Sequence, residues 1–227
     1  MSGASAGADR TMILAFDGAT TRVVVALGTV DGDLVETRDW PAGYRHGETL
    51  LPAVAALFDA RRIDRRSLAA IVVGTGPGAF TGLRVGIATA KGLAHALGVP
   101  IIGLSTAEAL LADSPTEAVL LLPAGPSDRL LARRGTPARL LPAGTDPELA
   151  SAEVLVAIDL AGRAPDDALE RGETARAGLG ASLIALGAAR LAADDTDDVA
   201  LLVPDYVTLP RGVRGEGGEV SWSHDRG

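Results

Sequence analysis

Asp17 closes an apolar run, Met12 to Phe16, and is followed by Gly18, Ala19 and Thr20. Further along, Gly74, Gly76, Pro77 and Gly78 break a second apolar run and lead into Thr81. A carboxylate at the end of a strand can help hold a metal ion and phosphates. A glycine turn that opens a helix offers an anion free backbone amides and the positive end of the helix dipole. Asp17, Gly76, Gly78 and Thr81 therefore form a phosphate-binding set, although one without a base. A plainer reading fits the same residues: a carboxylate at a turn caps its own backbone, and a tight turn packing a helix on a sheet uses the same glycines. The loop is neither a P-loop, since it lacks the terminal Lys and Ser/Thr, nor a three-glycine dinucleotide fingerprint.

Other chemistries find fewer residues. The chain has no cysteine, which excludes disulfides, thiolate catalysis and Cys-based zinc sites. Its histidines are His46, His95 and His224, and the position four after His46 is Leu50, so a helical metal pair is absent. No glycine-flanked serine elbow occurs. Lys91 is the only lysine, and a net charge of -8 disfavours tight nucleic-acid binding by the chain alone. The residues thus predict no catalytic set, no metal and no cofactor.

The elements that carry these residues follow from periodicity. Ile71 to Val73 reads as a buried strand, and Thr81 as the cap of a helix with Leu83, Ile87, Ala90, Ala94 and Leu97 at helical spacing. Upstream, Met12–Asp17, 21–30 and 34–40 read as three strands, with Asp31 and Gly32 in a hairpin turn. A helix over 48–60 carries a broad apolar stripe, then Arg61, Arg62, Arg65 and Arg66 as a solvated basic turn. Three strands followed by helix, strand, helix and strand is the order of a ribonuclease-H-like half. Downstream, a strand over 99–103 precedes a capping box made by Ser105 and Glu108. Apolar runs at 118–122, 129–132 and 154–158 and an alanine-rich helix over 172–193 make a smaller second half. Gly82, Gly86 and Ala90 fall four apart on one helix face, and a mid-helix glycine costs about 1 kcal/mol relative to alanine. Something offsets that cost by close approach, either the chain's own sheet or a helix of another subunit.

GPGAFTGLRVG (76–86) with KGLAHALGVPIIGLSTAEAL (91–110), preceded by ILAFDGAT (13–20) and HGETLLP (46–52), resembles the TsaB family. That family is the dimerisation subunit of the bacterial machinery making threonylcarbamoyladenosine in tRNA. The resemblance is strong over about 12–111 and weak beyond. It implies an α/β fold of two ribonuclease-H-like halves, of the actin and hexokinase type, the second reduced. The expected division is an arm over 1–11, halves over 12–104 and 105–210, and a disordered tail over 211–227 that contains Trp222. It implies a non-catalytic scaffold that binds and activates a TsaD-like paralogue, which carries the metal and the transfer to tRNAs reading ANN codons. A TsaE-like ATPase completes the complex, tRNA is met only through it, and the chain alone pairs with itself. The docking face expected on the two helices is Leu50, Leu51, Val54, Phe58, Gly82, Leu83, Gly86, Ile87 and Ala90. The chain departs from the family at 121–131, where Pro123, Ala124 and Gly125 replace its usual residues. With no apolar core of a signal peptide in 1–10 and no run of about 18 apolar residues, a cytoplasmic protein without membrane association is expected. The alternative, of a different class, is an ATP-dependent phosphotransferase or ATPase using Asp17 and the loop from Gly76 to Thr81.

Overall fold

The structure, a computed structural model, describes residues 10–41 and 46–207. Its first sheet grows from Met12–Asp17 (β1), buried at every position, which pairs antiparallel with Arg22–Thr29 (β2) and parallel with Leu68–Gly76 (β4). Leu34–Pro41 (β3) and Ile101–Ser105 (β5) complete the order β3-β2-β1-β4-β5. Because strand side chains alternate, β1 serves two cores. Leu14 and Phe16 pack with Leu50, Val54, Ile87 and Ala90 of the helices His46–Arg61 (α1) and Phe80–Leu97 (α2). Ile13 and Ala15 pack on the other face with Leu179, Leu183 and Ile184 of the helix Asp166–Ala192 (α4).

A short helix, Thr106–Leu111 (α3), leads to the second sheet, where Ala118–Ala124 (β6), Asp128–Ala132 (β7), Arg139–Leu141 (β8) and Val154–Ala157 (β9) take the order β8-β7-β6-β9. At 27 residues, α4 is long enough to serve both sheets. A Cβ at Gly172 would lie 1.8 Å from Ala157 O, and one at Gly187 2.4 Å from Val72 Cγ2. The missing side chains let the helix backbone press on β9 at one end and on β4 at the other.

Several boundaries differ from the periodicity. The helix expected over 172–193 begins at Asp166, where Asp166 and Asp167 in the first turn complement its dipole. The strand expected from Val99 begins at Ile101. Ser105 Oγ accepts the Glu108 N–H at 3.3 Å, as a cap should. Glu108, however, accepts from the Gly135 N–H at 2.6 Å, where a capping box has it turn back to the cap. At 121–131, β6 and β7 pair as a hairpin around the turn at Gly125 despite the altered residues. Of the expected arm, Thr11 donates its N–H to Ser67 O at 2.9 Å. Residues 1–9 and the expected tail, with Trp222 and His224, lie outside the described residues.

Candidate functional site

Asp17 ends β1 beneath the glycine loop, and its side chain is answered by the chain itself. Oδ1 accepts the Ala19 N–H at 2.7 Å, Oδ2 accepts the Thr106 hydroxyl at 2.6 Å, and Thr106 Oγ1 accepts the Gly76 N–H at 3.1 Å. The residue is 1 % exposed. A Cβ on Gly74 would come 1.7 Å from Asp17 Oδ2, so β4 can run over the carboxylate only as glycine. Burial pushes the Asp17 carboxyl above its ordinary value, against the pull of its two hydrogen bonds.

Of the anion cradle expected from Asp17, Gly76, Gly78 and Thr81, the carboxylate is engaged within the chain and the glycine loop is tied to the turn after β1. Ala79 N–H donates to Ala19 O at 2.6 Å, and a Cβ at Gly78 would stand 2.2 Å from that same oxygen. The turn after β1 and the glycine loop are thus packed edge to edge. Thr81 does not cap α2 either. The helix starts one residue earlier, at Phe80, Ala79 is its N-cap with no side-chain bond, and Thr81 is exposed in the first turn. The carboxylate and loop pack the two strands and α2 together. Among the described residues no group of three or more His, Asp or Glu comes together as a metal site.

The expected docking face also turns inward. Leu50, Val54, Phe58, Leu83, Ile87 and Ala90 are 0–6 % exposed within the single chain. Gly82 and Gly86 are buried beside them, and a Cβ on Gly86 would meet Val73 of the chain's own β4 at 3.7 Å. Only Leu51, at 50 %, is free. The reason is geometric: a helix lying on a sheet gives its most continuous apolar stripe to that sheet.

A second stripe, missed in the sequence, faces out. Ala88, Gly92 and Ala96 recur at the same spacing of four, and all are exposed. A Cβ on Gly92 would meet nothing within 4 Å. Half-buried Val85 and Leu93 flank them on α2, as do Leu51 and half-buried Ala55 on α1. Leu51, Ala55 and Leu93 wall one groove between the two helices. The other flank of α2 is taken by the chain's last described segment. Lys91 Nζ donates to Ala200 O at 3.3 Å, Tyr206 packs on Phe80 with ring centroids 5.1 Å apart, and the Arg84 guanidinium lies 4.7 Å over the Phe80 ring.

Between the halves lies a cleft of about 520 Å³ whose walls include Ala19, Thr20 and Thr21 of the turn after β1, Gly78, Ala79 and Phe80 of the glycine loop and α2, and Pro123, Leu130 and Asp159 of the second lobe. Asp159, with φ 59°, holds Thr21 from across the cleft. No short-range pattern marks this pair in the sequence.

Two α/β lobes with a ribonuclease-H-like first sheet, a reduced second lobe and a cleft between them define a member of the actin and hexokinase class of folds. Consistent with this, the chain resembles YeaZ from Pseudomonas aeruginosa in fold (TM-score 0.66, 22% identity, covering 86% of this chain and 99% of that one). A family model described as TsaD, tRNA N6-adenosine threonylcarbamoyltransferase, matches residues 41–158. The chain belongs to this family, and within it resembles members named TsaB. It is 37% identical over 97 residues to the tRNA threonylcarbamoyladenosine biosynthesis protein TsaB of Escherichia coli, covering 41% of this chain and 40% of that protein. It is 38% identical over 103 residues to the uncharacterized protein ML0378 of Mycobacterium leprae, covering 44% and 29%. The matched region spans less than half the length of either relative. No helix among the described residues is long and apolar enough to cross a membrane.

Proposed function

We infer that this chain is a docking subunit of the machinery that forms N6-threonylcarbamoyladenosine in tRNA, performs no bond chemistry itself, and binds a TsaD-like paralogue through the outward face of α1 and α2. A TsaE-like ATPase joins that complex, tRNA is met through it, and the chain pairs with itself when the paralogue is absent. The similarity to TsaB and TsaD supports the pathway, and the Asp17 carboxylate, buried and bonded within the chain, supports a role without catalysis.

The observation that carries the docking face is Gly92. Inside a helix this residue costs about 1 kcal/mol relative to alanine, and no neighbour within the chain comes near enough to require it. Flanked by Ala88 and Ala96, it leaves a shallow channel in which a second helix backbone can lie close. The test is Gly92→Leu, with pairing to the TsaD-like paralogue followed by size exclusion. The variant should fold as well as the parent and lose most of the heterodimer. Pairing at parental strength would refute this face, and a parent chain that never pairs would refute the role.

A further inference from the structure

The arginines at the far end of the docking face are not explained by the fold. In a chain of net charge -8, Arg61, Arg62, Arg65 and Arg66 crowd the turn between α1 and β4. Arg61 is committed: its guanidinium pairs with Glu36 and also donates to Val35 O at 3.2 Å. Arg10 reaches the same end of the sheet, since Thr11 donates to Ser67 O, and its guanidinium donates to Gly98 O at 2.8 Å where α2 ends. Cations at helix C-termini are ordinary, and the dipole accounts for these two.

Arg62, Arg65 and Arg66 differ. All three are exposed, and among the described residues their side chains make no ion pair or hydrogen bond. The neighbouring carboxylate of Asp64 is occupied with the Arg66 backbone N–H at 2.9 Å. Arg65 also forms part of the groove between α1 and α2, beside Leu51, Ala55 and Leu93. The basic corner is therefore continuous with the face assigned above to the paralogue.

The geometry points to a phosphodiester backbone as the ligand of this corner: Arg62, Arg65 and Arg66 contact the tRNA backbone alongside the docked paralogue. This assignment rests on the docking reading. Guanidinium groups suit phosphate because their planar donors meet two oxygens at once. Contacts of this kind fix position without reading sequence and need no apolar centre. The corner has none, because Ile63, the apolar residue within it, packs into the core of the first sheet. A partner protein would dock around an apolar centre, which this corner does not offer. An otherwise acidic chain thus adds a short basic edge to a path whose remainder lies on its partner.

The experiment uses the full chain reconstituted with the TsaD-like paralogue, titrated into fluorescein-labelled unmodified tRNA between about 50 and about 200 mM salt. Size exclusion of the same samples reads pairing separately. The double variant Arg62→Gln, Arg66→Gln, which leaves Arg65 in the groove, should pair as the parent does. It should bind tRNA at least about tenfold more weakly at low salt, with the slope of log affinity against log salt reduced by roughly two. Intact pairing with parental tRNA affinity and slope would overturn the arginine assignment alone. Loss of pairing in the double variant would mean that the corner binds protein, and would overturn it too. A parent chain that fails to pair would bring down the docking reading and this one with it, by a signal distinct from either.

Discussion

The Asp159 carboxylate accepts both the backbone N–H of Thr21 at 2.8 Å and its hydroxyl at 2.7 Å, bridging the turn before β2 to the end of β9. Arg176 of α4 donates to the same carboxylate at 2.6 Å, and the two charged side chains are 10 % and 8 % exposed. One carboxylate therefore ties the first lobe, the second lobe and the helix between them.

Removing it strands a charge. Asp159→Ala should lower stability by about 3 kcal/mol, because Arg176 is left buried without its counter-ion. Thr21→Val, which deletes one hydroxyl bond to a charged acceptor and spares the ion pair, should cost about 1.5 kcal/mol. Urea unfolding of both variants gives the comparison, and equal losses would show that Arg176 does not depend on Asp159.

Asp17 predicts an inverted pH dependence. Its folded carboxyl titrates above the ordinary 3.8 because it is buried. The folded chain therefore holds this proton more tightly than the unfolded chain, and the contribution is greatest below 3.8. It declines as pH rises through the folded value and is level above it. The stability of the parent relative to Asp17→Asn should fall over that window in denaturant titrations. A difference that is flat or rises with pH would refute the assignment.

Glu153 behaves in the opposite sense. Its bond to Arg133 at 2.6 Å lowers its carboxyl from 4.5 to about 2, helped by the Ala150 N–H at 2.8 Å. The stability it contributes is complete above 4.5 and is lost as pH falls toward about 2. Carboxyl titration by NMR should find that low midpoint, and Arg133→Gln should return it toward the ordinary range.

Gly86 and Gly92, on one helix, should part company. Gly86→Leu adds a branched side chain at a buried position where a Cβ alone already reaches Val73 at 3.7 Å, and overpacking of this kind costs about 1–3 kcal/mol. Gly92→Leu meets open space and replaces a poor helix former with a good one, gaining up to about 1 kcal/mol. Thermal unfolding of the two variants should move in opposite directions, and a loss at both positions would mean that Gly92 packs within the chain.

By itself the sequence determined the strands, the glycine turn and the family. Apolar runs such as Ile71 to Val73 bury themselves in any sheet, and the order of the motifs around them is local information. Only the tertiary structure decided which way the helices face. Gly82, Gly86 and Ala90, and Ala88, Gly92 and Ala96, are both stripes of small residues at spacing four. A period of 3.6 lays such stripes side by side with nothing local to say which meets the sheet. Asp17 is equally ambiguous in sequence, since a ligand and a buried cap are the same residue until Gly74 and Thr106 close over it. Thr21 and Asp159, 138 positions apart, become a pair only because α4 and the second sheet bring them together.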